Sequence, residues 1–342
     1  MRPLRQLSVV VPTLDEALTL PALFDSLASQ RDITLQCVIA DGGSADDSVA
    51  LARQRGARIV RSGRGRGRQL NAGAAAAAHP WLLFLHADSQ FTDPDQLAEA
   101  LDTVATARRH TPSPPPAGHF ALRFARGQAG HDMLFALLEA KSASNRPYSI
   151  NGDQGLLIHR DDFAALGGYD ESLALFEDQR IATRIFEHGR WLLLPHRLLT
   201  SAGRFEAEGH APRYALMALM MAMEQAGLLG GFVAEAGHAY AAQKDARRLR
   251  LAPFRAAALR QLRAAGLSRG LRGVMACGRL VRQNAWQLAL LLDLVRHHDD
   301  GRWLHRYDRL LAPLLAHRGA DALAGAAAVA ALLAGPSLLD RG

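Results

Sequence analysis

Apolar and polar positions alternate in blocks along the first ninety residues, and the blocks predict strands and helices in turn. Leu7-Ser8-Val9-Val10-Val11 is a β-branched run stopped by Pro12, the pattern of a short buried strand. Leu18, Leu20, Leu23, Phe24 and Leu27 then recur at helical spacing. A second strand is expected over residues 35–40, a helix over 48–55 and a third strand over 57–60. Trp81-Leu82-Leu83-Phe84-Leu85 has no turn former and no polar face, as a strand covered on both sides requires. Strands alternating with helices imply an α/β fold with a mostly parallel sheet and right-handed crossovers.

Polarity changes abruptly where these strands end. Pro12, Thr13 and Glu16 follow the first, Asp41-Gly42-Gly43-Ser44-Ala45-Asp46 the second, and His86 and Asp88 the Trp81 run. His86 and Asp88 stand two apart, so an extended chain points them to the same side. Open α/β sheets bind ligands at this edge, and a carboxylate there suits a divalent cation carrying a diphosphate. Capping a turn or helix would occupy Asp88, Thr13 or Asp15 equally well. Neither G-x-G-x-x-G nor G-x-x-x-x-G-K-[ST] occurs, which counts against NAD binding and P-loop hydrolysis. In Gly63-Arg64-Gly65-Arg66-Gly67-Arg68, arginines between glycines could wrap a diphosphate, but for Arg64 and Arg66 a solvated flexible loop is the favoured reading. Arg68 and Asn71 share one face at the start of an alanine-rich helix and are the better phosphate candidates.

Taken together, residues 9–16, 41–46, 68–73 and Phe84-Leu85-His86-Ala87-Asp88-Ser89 resemble the nucleotide half of family 2 glycosyltransferases of the GT-A fold. Asn151-Gly152-Asp153-Gln154-Gly155, Leu166-Gly167-Gly168-Tyr169, Phe176-Glu177-Asp178 and residues 200–206 resemble the bacterial subgroup labelled arsenosugar-biosynthesis or radical-SAM/selenodomain-associated glycosyltransferases. The resemblance covers roughly residues 5 to 240. It implies an inverting transfer of sugar from a nucleotide-diphosphate donor, UDP-sugar by analogy, to a hydroxyl acceptor that is a lipid or a small metabolite. It also implies that Pro12, Thr13, Glu16, Asp41, Arg68, Asn71 and Asp88 bind the nucleotide sugar. Asp88 matches the last carboxylate of the family's D-x-D, which binds Mn²⁺ or Mg²⁺, while His86 replaces the first. Of the adjacent carboxylates, Asp178 with Glu177 close behind is expected to deprotonate the acceptor, and Asp153, Gln154 and Arg204 to contact it. A helix dipole alone would also account for Glu177-Asp178 at a helix start. The alternatives are a nucleotidyltransferase of similar architecture and a non-catalytic nucleotide-sugar-binding protein.

The chain then divides into a nucleotide half over 1–110, a proline-rich connector, an acceptor half over 117–209 and a helical extension over 210–342. Tyr214 to Met223 is apolar nearly all round, which favours buried core. In the extension, arginines interleave with leucines, fitting either packing on the catalytic domain or docking at a membrane surface. His297-His298-Asp299-Asp300 reads as a solvated helix end.

Composition refines this picture modestly. A hydrophobic share of 49% with 21% charged residues suits a globular protein and excludes a disordered one. The net charge of +7 comes from 40 basic residues, all arginine except Lys141 and Lys244. Spread along the chain, they suit anionic substrates or lipid surfaces and give no concentrated nucleic-acid footprint, so no nucleic-acid partner is expected. Cys37 and Cys277 are isolated, which favours a reducing compartment. With no signal peptide visible, a cytoplasmic protein is expected, at the inner face of the cell membrane if the extension docks there.

Overall fold

The computed structural model describes residues 5–127, 132–243, 248–298 and 300–333. The chain divides into two compact units, one formed by residues 1–125 and 138–201, the other by 126–137 and 202–342.

The first unit alternates as the sequence predicts. Its first half runs β1 (Gln6–Thr13), α1 (Leu20–Ala28), β2 (Thr34–Asp41), α2 (Ser48–Gln54), β3 (Arg58–Arg61), α3 (Arg66–Ala76) and β4 (Trp81–Phe84). After α4 (Gln96–His110) come β5 (Pro116–Ala125), α5 (Met133–Ser142), β6 (Leu156–His159), α6 (Arg160–Ala165), α7 (Glu177–His188) and β7 (Arg190–Ser201). The seven strands form one sheet in the order β3-β2-β1-β4-β6-β5-β7. Strand β1 pairs in parallel with both β2 and β4, so the loops leaving these strands emerge side by side. Strand β6 runs antiparallel to β4 and β5. The loop entering β6 therefore arrives at the edge from which β4 departs.

One face of this sheet supplies Val10, Val38, Leu82, Phe84 and Ile158, which pack with Leu70 of α3, Ile181 and Ile185 of α7, and Trp191. Their continuous apolar runs need cover on both faces, and the helices give it. Pairing of β5 with β7 slips between His119 and Ala121, where Leu193 and Arg197 are the successive partners. His196 there takes a left-handed backbone, φ 65°.

The second unit is helical: α8 (Gly203–Glu208), α9 (His210–Gln225), α10 (Leu229–Ala241), α11 (Ala252–Ala264) and α12 (Gly266–Gln283) lead into α13 (Trp286–Val295). Next come α14 (Arg302–Arg306), a π-helical turn over Tyr307–Leu311, α15 (Ala312–Leu315) and α16 (Arg318–Leu333). Phe232, Phe254, Ala257, Ala258 and Trp286 are buried. Helices α12 and α16 approach so closely that a Cβ on Gly278 would lie 1.8 Å from the carbonyl oxygen of Asp321. Buried Asp321 also pairs with Arg282 at 2.6 Å. The methionine-rich helix α9 is less enclosed than its composition predicts: between Tyr214 and Met223 only Leu216 and Met223 are buried, and the other methionines are half-exposed. Asp299 of the His297–Asp300 run lies outside the described residues. No helix of the described residues is long and apolar enough to cross a membrane.

Candidate active site at the carboxyl edge of the sheet

Two groups of residues gather where β1, β2 and β4 end. The first is a laced pair of loops. Asp15 sits in the left-handed region, φ 56°, its N–H donating to Ser44 Oγ at 3.0 Å and its Oδ1 accepting from the Ala45 N–H at 2.7 Å. The Glu16 N–H donates to Ser48 Oγ (2.7 Å) and the Ala17 N–H to Asp46 Oδ2 (3.0 Å). Beneath them, the buried Gln69 amide donates to the carbonyls of Thr13 (2.9 Å) and Ala40 (2.8 Å), tying α3 to both strand ends. Sequence reasoning passed over Gln69, whose only signal is a polar residue on the inward face of an apolar helix.

This group corrects two expectations. Thr13 has no exposed surface, so its side chain shapes the loop base from behind instead of meeting a ligand. The Asp41 carboxylate is turned into its own loop, accepting from the N–H groups of Gly43 and Ser44 at 3.2 and 3.0 Å. Pro12 is half-buried, paired with Ala40. Glu16 is also half-buried, its Oε2 accepting from Thr19 Oγ1 at 2.7 Å.

The second group surrounds a cavity lined by Arg66, His86, Gly152, Glu177, Asp178 and Tyr169, with Phe84, Ile181 and Trp191 as apolar floor. Helix α7 begins directly after Phe176, a non-glycine residue at φ 67°. Such a conformation costs on the order of 1–3 kcal/mol and gathers at functional sites. It delivers Glu177 and Asp178 into the first turn of α7, where the helix dipole favours negative charge. Asp178 is held by two main-chain donors, Gly152 N–H to Oδ2 (2.8 Å) and Gln179 N–H to Oδ1 (2.7 Å). Glu177 is 1% exposed and pairs with Arg66 at 3.1 Å. Burial pushes its carboxyl above the ordinary range, Arg66 opposes the rise and Asp178 adds to it; the net direction is upward.

Opposite stands His86, whose Nδ1 meets Asp153 Oδ1 at 2.6 Å. Burial alone would lower its pKa, but the bond to Asp153 and the charge of that carboxylate outweigh it, so the imidazole keeps its proton above the usual value. Asp153 and Gly152 belong to one short turn, Gly152–Gln154, closed by a capping box between Asn151 and Gln154. A Cβ on Gly152 would fall 2.8 Å from His86 Nε2, so only glycine lets the ring lie over the turn. Asp88 is half-buried two residues beyond His86, and its charge helps His86 hold its proton.

The other expected residues divide. Arg66, expected on a solvated loop, is the arginine at the cavity, whereas Arg68 is about half exposed and meets Glu171 at 3.6 Å. Asn71 is engaged with the backbone of Tyr169, donating to its carbonyl (2.9 Å) and accepting from its N–H (3.0 Å). Gln154 is wholly buried, donating to Ser142 O (2.8 Å) and facing His119 Nδ1 (3.1 Å). An acceptor contact through its side chain is thereby replaced by a structural role. Arg204 is exposed on α8 of the second unit.

Among the described residues, no three His, Cys, Asp or Glu side chains converge to hold an ion. His86 must lose its proton before it can ligate a metal. The donor set therefore reduces to the Asp88 carboxylate with His86 beside it. That fits a hard cation which takes one or two carboxylates from the protein and its remaining ligands from phosphates and water.

A mostly parallel sheet with laced loops at its carboxyl edge and a carboxylate-lined cavity beside them is an α/β architecture of the GT-A class. The chain belongs to glycosyl transferase family 2, whose family profile matches residues 8–140, and it is a glycosyltransferase. It is 33% identical over 189 residues to the PGL/p-HBAD biosynthesis glycosyltransferases of Mycobacterium bovis (strain BCG / Pasteur 1173P2) and Mycobacterium tuberculosis (strain ATCC 25177 / H37Ra). Each match spans 53% of this chain and 70% of the relative. Among solved structures it is similar to mannosyltransferase PcManGT from Pyrobaculum calidifontis, with 18% identity, TM-score 0.49, and 98% of this chain and 89% of that one covered. It is also similar to S. aureus TarS 1–349, with 15% identity, TM-score 0.47, and 89% and 91% covered.

Proposed function

We propose that the protein moves a sugar from a UDP-linked donor to an acceptor hydroxyl, with inversion at the anomeric carbon and with Mn²⁺ or Mg²⁺. The observation that carries this reading is the pair of carboxylates at the start of α7 facing His86 and Arg66 across one cavity at the strand ends. The laced loops after β1 and β2 receive the nucleoside. Asp88 would hold the cation, which would supply positive charge for the diphosphate of the donor. His86, whose proton Asp153 favours, stands beside the same phosphates. Asp178 takes the proton of the attacking hydroxyl. It is favoured over Glu177 because two main-chain donors fix its orientation, while Glu177 is engaged by Arg66. With no protein nucleophile in the path, a single in-line displacement inverts the anomeric centre.

The acceptor is a lipid or a small metabolite, the subgroup is the arsenosugar or radical-SAM-associated one, and the protein works in the cytoplasm with its helical unit at the inner face of the membrane. A panel of UDP-sugars assayed with Mn²⁺ or Mg²⁺ against hydroxyl acceptors should release UDP and give product of inverted configuration. Release of pyrophosphate, or unchanged turnover in Asp88→Ala, would overturn the assignment.

A further inference from the structure

The charged side chains around the active-site cavity all have partners within the protein: Arg66 with Glu177, His86 with Asp153, and Asp178 with two main-chain donors. Tyr169, which lines the same cavity, does not share this. The residue is 6% exposed, and among the described residues nothing bonds its hydroxyl.

The ring itself is fixed. Asn71 holds the Tyr169 backbone on both sides, donating to its carbonyl at 2.9 Å and accepting from its N–H at 3.0 Å. Phe84 and Phe163 pack on the ring with centroids 5.1 and 5.7 Å away. Gly168 just before it is left-handed, φ 63°, and a Cβ there would fall 2.9 Å from Asn71 Oδ1, the atom that accepts from the Tyr169 N–H. Phenylalanine would fill the same space with the same neighbours. A hydroxyl added to a buried ring and left without a partner costs stability, so its presence calls for a partner that arrives with a ligand.

Burial raises the pKa of this phenol, the charges of Asp178 and Glu177 add to the rise and Arg66 opposes it, so the group keeps its proton and offers a donor. The charges it feels are those of the cavity, which puts the hydroxyl on that side of the ring. In the reaction proposed above the phosphates sit beside His86 and the attacking hydroxyl beside Asp178, so the transferred sugar spans the mouth of the cavity between them. The interior leaves about 20 Å³, room for one water-sized group, and a single substituent of the sugar fits there.

We infer that the Tyr169 hydroxyl donates a hydrogen bond to one hydroxyl of the transferred sugar, and that the site thereby selects a donor whose sugar carries a free hydroxyl there over one carrying a bulkier acetamido group. The inference rests on the UDP-sugar reading of the site and adds to it the class of sugar, an unsubstituted hexose. The selection has two parts: the narrow cavity excludes bulk, and the buried donor is satisfied only by an oxygen.

The test is calorimetric binding to the full chain with Mn²⁺, comparing UDP, UDP-glucose, UDP-galactose and UDP-N-acetylglucosamine in the parent and in Tyr169→Phe. UDP should bind both proteins alike. In the parent, one of the two hexose donors should bind about tenfold or more tighter than UDP-N-acetylglucosamine, and Tyr169→Phe should weaken that donor about tenfold while leaving UDP-N-acetylglucosamine nearly unchanged. Urea unfolding without ligand separates this from a packing role: the midpoint of Tyr169→Phe should equal or exceed that of the parent, because the variant loses an unsatisfied hydroxyl and no contact. Failure of UDP itself to bind would overturn the reaction assigned to the site and this inference with it. With UDP bound normally, hexose donors no tighter than UDP-N-acetylglucosamine, an unchanged affinity or an equal loss for all three donors in Tyr169→Phe, or a urea midpoint below the parent's would overturn the selectivity alone.

Discussion

The two units handle polar and apolar groups in opposite ways. The sheet unit draws charge inward, surrounding a cavity with Arg66, His86, Glu177 and Asp178, while only Leu14, Leu18 and Leu193 among its described large apolar residues are exposed. The helical unit pushes apolar groups outward, exposing eleven such residues, and its stretch 248–333 holds five aspartates and no glutamate. Buried charge is tolerated only where partners are built for it, and exposed leucine in bulk persists only where something other than water covers it. The comparison puts the proposed chemistry in the first unit.

The hardest test of that division is catalytic. Asp178→Asn should cut transfer by roughly 10³-fold or more in a steady-state assay while UDP binding and the thermal transition stay as in the parent. Transfer above a tenth of the parent rate would move the base elsewhere. The converse test loosens the second unit alone. Gly278→Val forces a side chain against the backbone of α16 and should cost about 3 kcal/mol in denaturant unfolding. UDP binding, a property of the first unit, should survive in it.

Acid should distinguish the units next. His119, buried in β5, has its pKa pushed down to about 4 by burial, against the usual 6.5. Its contribution to stability is fully present above the ordinary value and is lost as pH falls from about 6.5 towards 4, by up to about 3 kcal/mol. His119→Phe should flatten that part of the stability curve, read by urea titrations across pH. Arg66→Met should have a smaller effect, about 1–2 kcal/mol, because the arginine is 41% exposed although its partner is buried. It should also leave Glu177 protonated to higher pH, so that the stability held by the neutral acid persists until pH rises through the new, higher pKa. Smallest of all, Leu288→Asp should change stability by less than about 0.5 kcal/mol, since it removes nothing from a core.

The strands and their order of chemistry were legible because continuous apolar runs and abrupt polar ends are local signals. Local signals also misplaced some side chains. Arg66 sits among glycines that read as a flexible loop, yet α3 starts at that residue, and its partner Glu177 lies 111 positions downstream. Arg68, two residues on, is turned towards Glu171 instead. Thr13, Asp41 and Gln154 stand in the right motifs, but a motif fixes a residue's place on the chain and leaves open whether its side chain faces the cleft or the interior. The localisation of charge was hidden for a related reason: arginine is abundant throughout, and the contrast lies in the carboxylates that residues 248–333 lack.

The short turn over Gly152–Gln154 ties together the two sides of the cavity: Asp153 steadies the His86 imidazole, and the Gly152 amide steadies the Asp178 carboxylate. In the proposed reaction these sides would serve the leaving group and the attacking hydroxyl, so a shift of this turn that admitted a bulkier acceptor would also disturb the donor side. Redesign of acceptor preference will therefore succeed sooner from the apolar floor at Ile181 and Trp191 than from the loop that faces it.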